Sequence, residues 1–132
     1  MNYYSEIMQL TKAEEQIMQI LWELGSGLVK DIRERFGNPK PARNTVSTVI
    51  RILEKKGFVG HESLGNVHRY YPLVDKNEYS RNQLFRLMDS YFNSSFPAMA
   101  SMFVRGKDLS AKELEELLEE TRQELENFKK KK

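Results

Sequence analysis

No cysteine occurs anywhere in this chain of 132 residues. That absence excludes disulfides and every thiolate-based metal site, and a reducing, cytoplasmic setting is the simplest expectation. Long apolar runs are missing too. Nothing approaches the roughly 18 uninterrupted apolar residues of a membrane-spanning helix, so no membrane insertion is expected. The opening residues, MNYYSEIMQL, lack the basic patch and apolar run of a secretory signal. Histidine is scarce: His61 and His68 have only Glu62 as a nearby acid in sequence, which makes no ligand set, and a solvated or phosphate-contacting role suits both. Neither a glycine-rich phosphate loop nor a nucleophile elbow is present. The expectation is a protein that is not an enzyme and carries no metal or cofactor.

The net charge is only +2, so bulk charge announces no nucleic-acid partner, and the distribution has to be read instead. Residues 27–73 hold nine Lys and Arg against four Asp and Glu, whereas residues 109–127 hold seven Glu against Lys112 and Arg122. Acid disappears altogether between Pro39 and Leu53. Within that stretch Val46, Val49, Ile50 and Leu53 form one apolar helical stripe, and Asn44, Ser47, Thr48 and Arg51 repeat the spacing on the opposite face. Short hydrogen-bonding side chains with one arginine suit a helix that enters a major groove.

The surrounding pattern is that of a winged helix-turn-helix. Thr11 with Glu14 makes a capping box that opens a helix over about 11–24, with Ala13, Ile17, Ile20, Leu21 and Leu24 as its apolar stripe. A shorter helix is expected over about 28–36, and a third over 42–56, stopped by Lys55, Lys56 and Gly57. Phe58–Ser63 and Val67–Leu73 flank Leu64-Gly65-Asn66, where Gly and Asn tolerate positive φ, and read as a β-hairpin wing. Trp22 is read as a core or interface aromatic. The fold class is therefore mainly α: three helices and a hairpin wing over residues 1–75, followed by a helical dimerisation region over 76–132.

That second region shows Leu84, Leu87, Met88 and Tyr91 on one helical face, a break around Asn93 to Pro97, and then Phe96, Met99, Ala100 and Phe103. Ser110 with Glu113 opens a last helix carrying Leu114, Leu117, Leu118, Leu125 and Phe128. Three short helices make a poor core for one chain, and a second copy would cover their apolar stripes. The expected dimerisation residues are Leu84, Leu87, Met88, Tyr91, Phe96, Met99, Phe103, Leu114, Leu117 and Leu118.

For DNA, Arg43, Asn44, Thr45, Ser47, Thr48 and Arg51 are the expected reading residues. Arg51 suits a guanine or a phosphate, Asn44 an adenine, and the Thr45 and Thr48 methyls a thymine methyl. Lys40, Lys55, Lys56, His68 and Arg69 are expected at flanking phosphates. Lys55 and Lys56 serve equally well as partners of the helix dipole.

LTKAEEQIMQILWELG, ARNTVSTVIRILEKKGFVGHE and NVHRYYPLV resemble the penicillinase-repressor group, the BlaI/MecI/CopY family of bacterial winged-helix repressors, over about Leu10 to Leu118. The resemblance implies a homodimer whose winged domains read a palindromic operator while C-terminal helices interlock. It also implies derepression when a membrane sensor protease system triggers cleavage at an Asn-Phe bond preceding a segment like VEKEDLS. The similar stretch here is MFVRGKDLS, Met102 to Ser110, with Met102 where that pattern has Asn, so Met102 and Phe103 flank the candidate bond. The copper-responsive branch fits poorly, because its C-terminal cysteine motif is absent. The expected function is a sequence-specific, homodimeric DNA-binding repressor. A winged-helix protein-interaction module without DNA is the alternative.

Overall fold

The computed structural model describes residues 9–131; the N-terminal stretch read for a signal and the final Lys132 lie largely outside them. In chain order the elements are α1 (Lys12–Leu24), α2 (Val29–Glu34), α3 (Arg43–Lys55), β1 (Val59–Leu64), β2 (Val67–Pro72), α4 (Lys76–Tyr91), α5 (Phe96–Arg105) and α6 (Ala111–Lys130). The contacts divide the chain into two compact units, one ending at Leu84 and the other beginning at Phe85. Three helices and a hairpin thus make up the winged helix-turn-helix of the first unit.

Its core gathers Ile17, Met18 and Leu21 of α1, Ile32 of α2, Val46, Ile50 and Leu53 of α3, and Phe58, Val59 and Tyr70 from the wing. The buried row of α1 is Glu14, Ile17, Met18 and Leu21, and Ala13, expected in the stripe, is exposed. The row still has helical spacing, but the glutamate in it disguises its polarity pattern. Thr11 and Glu14 form the expected capping box, with Glu14 N–H donating to Thr11 Oγ1 at 3.2 Å and Thr11 N–H to Glu14 Oε1 at 2.8 Å.

Glu14 has a second partner. Lys56 Nζ, just past the end of α3, donates to the same Oε1 at 2.8 Å. Burial pushes the Glu14 carboxyl up, but the Lys56 bond and charge and the Thr11 bonds outweigh it and hold the group below its ordinary value. The start of α1 is thereby pinned to the end of α3. Lys56→Ala, which leaves a buried carboxylate short of a partner, should lower the unfolding free energy at pH 7 by about 1–3 kcal/mol in a urea titration. Because the folded-state value is depressed, the Glu14 contribution is complete above the unfolded glutamate value of about 4.3 and is lost as pH falls through the folded value. The gap between wild type and Lys56→Ala should therefore close on acidification; a gap that stays constant to pH 3 would contradict this account.

β1 and β2 pair antiparallel, with His61 opposite Tyr70, Glu62 opposite Arg69, Ser63 opposite His68 and Leu64 opposite Val67. The two-residue turn Gly65-Asn66 has positive φ at Gly65 alone, the sign pattern of a type II′ hairpin; Asn66 does not use the conformation the sequence allowed it. Gly25-Ser26-Gly27 forms the turn between α1 and α2, and it does more. Gly27 and Tyr70 exchange two backbone hydrogen bonds of 2.9 Å, so β2 is held on both edges.

The first turn of α4 belongs to the winged unit, beyond the boundary at residue 75 expected from the end of the hairpin. Tyr79 is buried, its hydroxyl donates to Glu15 Oε2 at 3.0 Å, and its ring centroid lies 5.7 Å from Trp22 and 6.0 Å from Phe58. Trp22 Nε1–H donates to the Val74 carbonyl at 2.8 Å, in keeping with its structural reading.

In the second unit Phe96 opens α5, in line with its place in the apolar stripe, and Pro97 sits in the first helical turn rather than in the break, because Ser95 caps Ala98 N–H and proline needs no donor there. Ser110 and Glu113 form the second capping box, which holds the Glu113 carboxyl below its ordinary value. Neither α5 nor α6 buries a single described residue within the chain. Among the described residues, no helix is long and apolar enough to cross a membrane.

Candidate nucleic-acid interface

The residues of α3 sort into three faces. Val46, Ile50 and Leu53 are buried. Arg43, Ser47 and Arg51, spaced by four, turn toward the wing and line an open groove of about 710 Å³ with Val29 and Lys30 of α2 and Asn66, Val67 and His68 of the wing. Asn44, Thr48 and Lys55 are exposed on the outward side. Thr45 lies around the helix from the wing, in a separate groove of about 510 Å³ with Phe36, Pro39 and Pro41.

The start of α3 is held from α2. Arg33 Nε–H donates to the Pro41 carbonyl at 2.7 Å, fixing the turn directly before the helix. Ala42 occupies the N-cap with no side-chain cap and no acid follows in the first turn, so the positive end of the helix is left available to an outside anion. Arg33 had no sequence signal as a positioning residue, since its partner is a backbone carbonyl across a turn.

Not every candidate cation reaches this surface unencumbered. Lys40 is ion-paired with Glu34 at 2.9 Å, and that pairing holds the Glu34 carboxyl below its ordinary value. Lys56 is engaged with Glu14 as described, so its charge is already matched inside the fold. His68 and Arg69 occupy opposite faces of the hairpin, because neighbouring strand residues alternate. His68 faces the groove, and Arg69 stands on the outer face across from Glu62.

The two histidines, distant from other ligands in sequence, are neighbours in space. Their ring centroids are 4.2 Å apart, His61 Nδ1 meets Glu54 Oε2 of α3, and His68 Nδ1 lies 3.3 Å from Ser63 Oγ. The wing is thus tied to α3 through a carboxylate and an imidazole. Beneath them, burial and the Glu54 charge push the Tyr70 phenol up, with Arg51 opposing. Among the described residues, no group of three or more His, Asp or Glu is placed to hold a metal ion.

Met102 and Phe103 lie near the end of α5, half-exposed, with the Met102 carbonyl accepting from Gly106 N–H at 2.9 Å. The expected dimerisation residues Leu84, Leu87, Tyr91, Phe96, Phe103, Leu117 and Leu118 are exposed, Met99 and Leu114 are half-buried, and Met88 is buried. Phe85, Leu125 and Phe128 add exposed apolar surface in the same region.

A three-helix core, a helix with an acid-free outward face and a hairpin wing beside it define a protein of the winged helix-turn-helix class. The family model described as "Penicillinase repressor" matches residues 10–123, and the chain belongs to that family. It is 26% identical to the penicillinase repressor of Bacillus licheniformis, covering 85% of this chain and 88% of that one. Against the methicillin resistance regulatory protein MecI of Mammaliicoccus sciuri the identity is 27%, over 83% and 89% of the two chains. Among solved structures, the DNA-binding domain of the repressor BlaI matches at 27% identity with a TM-score of 0.49, covering 55% of this chain and 90% of that chain.

Proposed function

We propose that this chain is a sequence-specific DNA-binding repressor that occupies a pseudo-palindromic operator as a homodimer. The observation that carries the reading is α3: the stretch from Arg43 to Arg51 has no acid, its N-terminus has no side-chain cap, and a cation-lined groove runs between it and the wing. Such a helix offers short side chains and an arginine to base edges, and free N–H groups to a phosphate. Two relatives carry the names of regulators, one of them a repressor, which supports the same reading. A second copy is invoked because α5 and α6 have no fully buried residue within one chain while exposing Phe96, Leu117, Leu118 and Phe128. A protein-interaction module would more often place apolar anchors on the outward face of α3, which is mostly polar and cationic.

Selection from a random duplex library should enrich an inverted repeat, and log affinity for it should fall steeply and linearly with log salt. Arg51→Ala and Thr48→Ala should each reduce preference for the selected duplex by about 1–3 kcal/mol while weakening scrambled DNA less. If both variants keep the parent's preference in a gel-shift titration, the reading face has been assigned to the wrong side chains.

Derepression by cleavage between Met102 and Phe103 belongs to the same proposal. The bond sits in a helical turn, so a protease would have to draw the end of α5 into an extended form. Coexpression with a cognate sensor should yield fragments that mass-map to this bond, and an intact chain that nonetheless derepresses would overturn it.

A further inference from the structure

The reading helix carries one large apolar side chain that the core does not claim. Ile52 is 42% exposed and belongs neither to the buried cluster of the winged unit nor to the residues packed against it. It follows Thr48 by four residues and precedes Lys55 by three, so these side chains are surface neighbours on the helix. With Arg51 they line a shallow depression of about 280 Å³. Thr48 Oγ1–H donates to the Asn44 carbonyl at 2.8 Å, so the hydroxyl is used inside the helix and the methyl is what Thr48 presents outward. Arg51 Nε–H likewise donates to the Ser47 carbonyl, at 3.3 Å, and leaves the rest of its guanidinium to an outside partner.

We propose that Ile52 and the Thr48 methyl form an apolar reader for thymine 5-methyl groups in the major groove, with Arg51 and Lys55 on the phosphates beside them. The proposal rests on the DNA reading given above and names what this part of the surface selects. Among base edges in the major groove, only thymine presents a methyl group, and an apolar contact is how that group is read. A single exposed isoleucine is ordinary on a protein surface. This one lies beside the outward row of a helix, in a depression with two cations and no acid among its lining residues.

The test uses the full chain and the duplex enriched by library selection, synthesised with thymine or with deoxyuridine throughout. The exchange removes every 5-methyl and keeps every pairing edge. Fluorescence anisotropy titrations should give wild type about tenfold tighter binding to the thymine duplex, as expected for about one methyl buried per protomer at about 0.8 kcal/mol each. Ile52→Ala should bring the ratio below about threefold, and Thr48→Ser, which keeps the hydroxyl and deletes the methyl, should also reduce it. Equal binding of both duplexes by a wild type that still prefers them to scrambled DNA would overturn the methyl reader and leave the DNA reading standing. An Ile52→Ala variant with the full ratio would overturn the assignment to Ile52. If the library yields no enriched sequence, the DNA reading itself fails and this inference fails with it.

Discussion

Replacing Leu117 and Leu118 together with glutamate should leave the winged unit folded and cut operator affinity by about 10²- to 10⁴-fold. Both leucines are about half exposed within one chain, on a 20-residue helix that buries none of its own residues. Their removal therefore costs the isolated chain little. A dimer that packs α6 against its counterpart would have to bury several new carboxylates beside Glu115, Glu116, Glu119 and Glu120. Once two reading heads are no longer tethered, the second operator half must be bound from bulk solution, and the advantage of a high effective concentration is lost. Analytical ultracentrifugation should show a monomer, binding to a single half-site should be unchanged, and only the full inverted repeat should lose affinity. A variant that remains dimeric would remove α6 from the interface.

Phe58→Ala should cost about 3–5 kcal/mol of stability, enough to unfold much of the winged unit. Phe58 is 1% exposed where α3 gives way to the wing, and its backbone is tied on both sides: its N–H donates to the Leu53 carbonyl at 2.9 Å, and its carbonyl accepts from Leu73 N–H at 2.7 Å. Its ring meets the edge of Tyr79 at an interplanar angle of 76°. Alanine would open a cavity bordered by helix, hairpin and the first turn of α4, three elements that cannot collapse onto it together. Urea unfolding should show the loss directly, with Phe58→Leu retaining most of the stability. An alanine variant within 1 kcal/mol of wild type would mean that the junction repacks freely.

Local signals carried much of this fold into the sequence. Both capping boxes, Thr11 with Glu14 and Ser110 with Glu113, are built from residues three apart and form as read. The hairpin turn was marked by Gly65, and the end of α3 by Gly57, each at positive φ. Other features depend on contacts across the chain, which no local spacing encodes. Glu14 is visible in sequence as a cap, but its ion pair with Lys56 spans 42 positions, and no local spacing signals that this lysine is also matched to a carboxylate inside the fold. Tyr79 draws the start of α4 into the first unit through rings distant in sequence. The opposite facing of His68 and Arg69 needed only the period of a strand. Ile52 is not singled out by the sequence; it lies outside the apolar stripe of Val46, Val49, Ile50 and Leu53, and its exposure follows from that helical spacing.

The chain holds a single tryptophan, and its indole N–H is bonded to the carbonyl of Val74 while its ring packs near Tyr79. Trp22 is therefore a built-in optical probe at the seam where the wing ends and α4 begins. Excitation at the red edge of protein absorbance isolates one environment, with no averaging over several indoles. A red shift in its emission registers water reaching that seam and gives a label-free readout of whether the first turn of α4 stays docked during DNA titration or proteolysis.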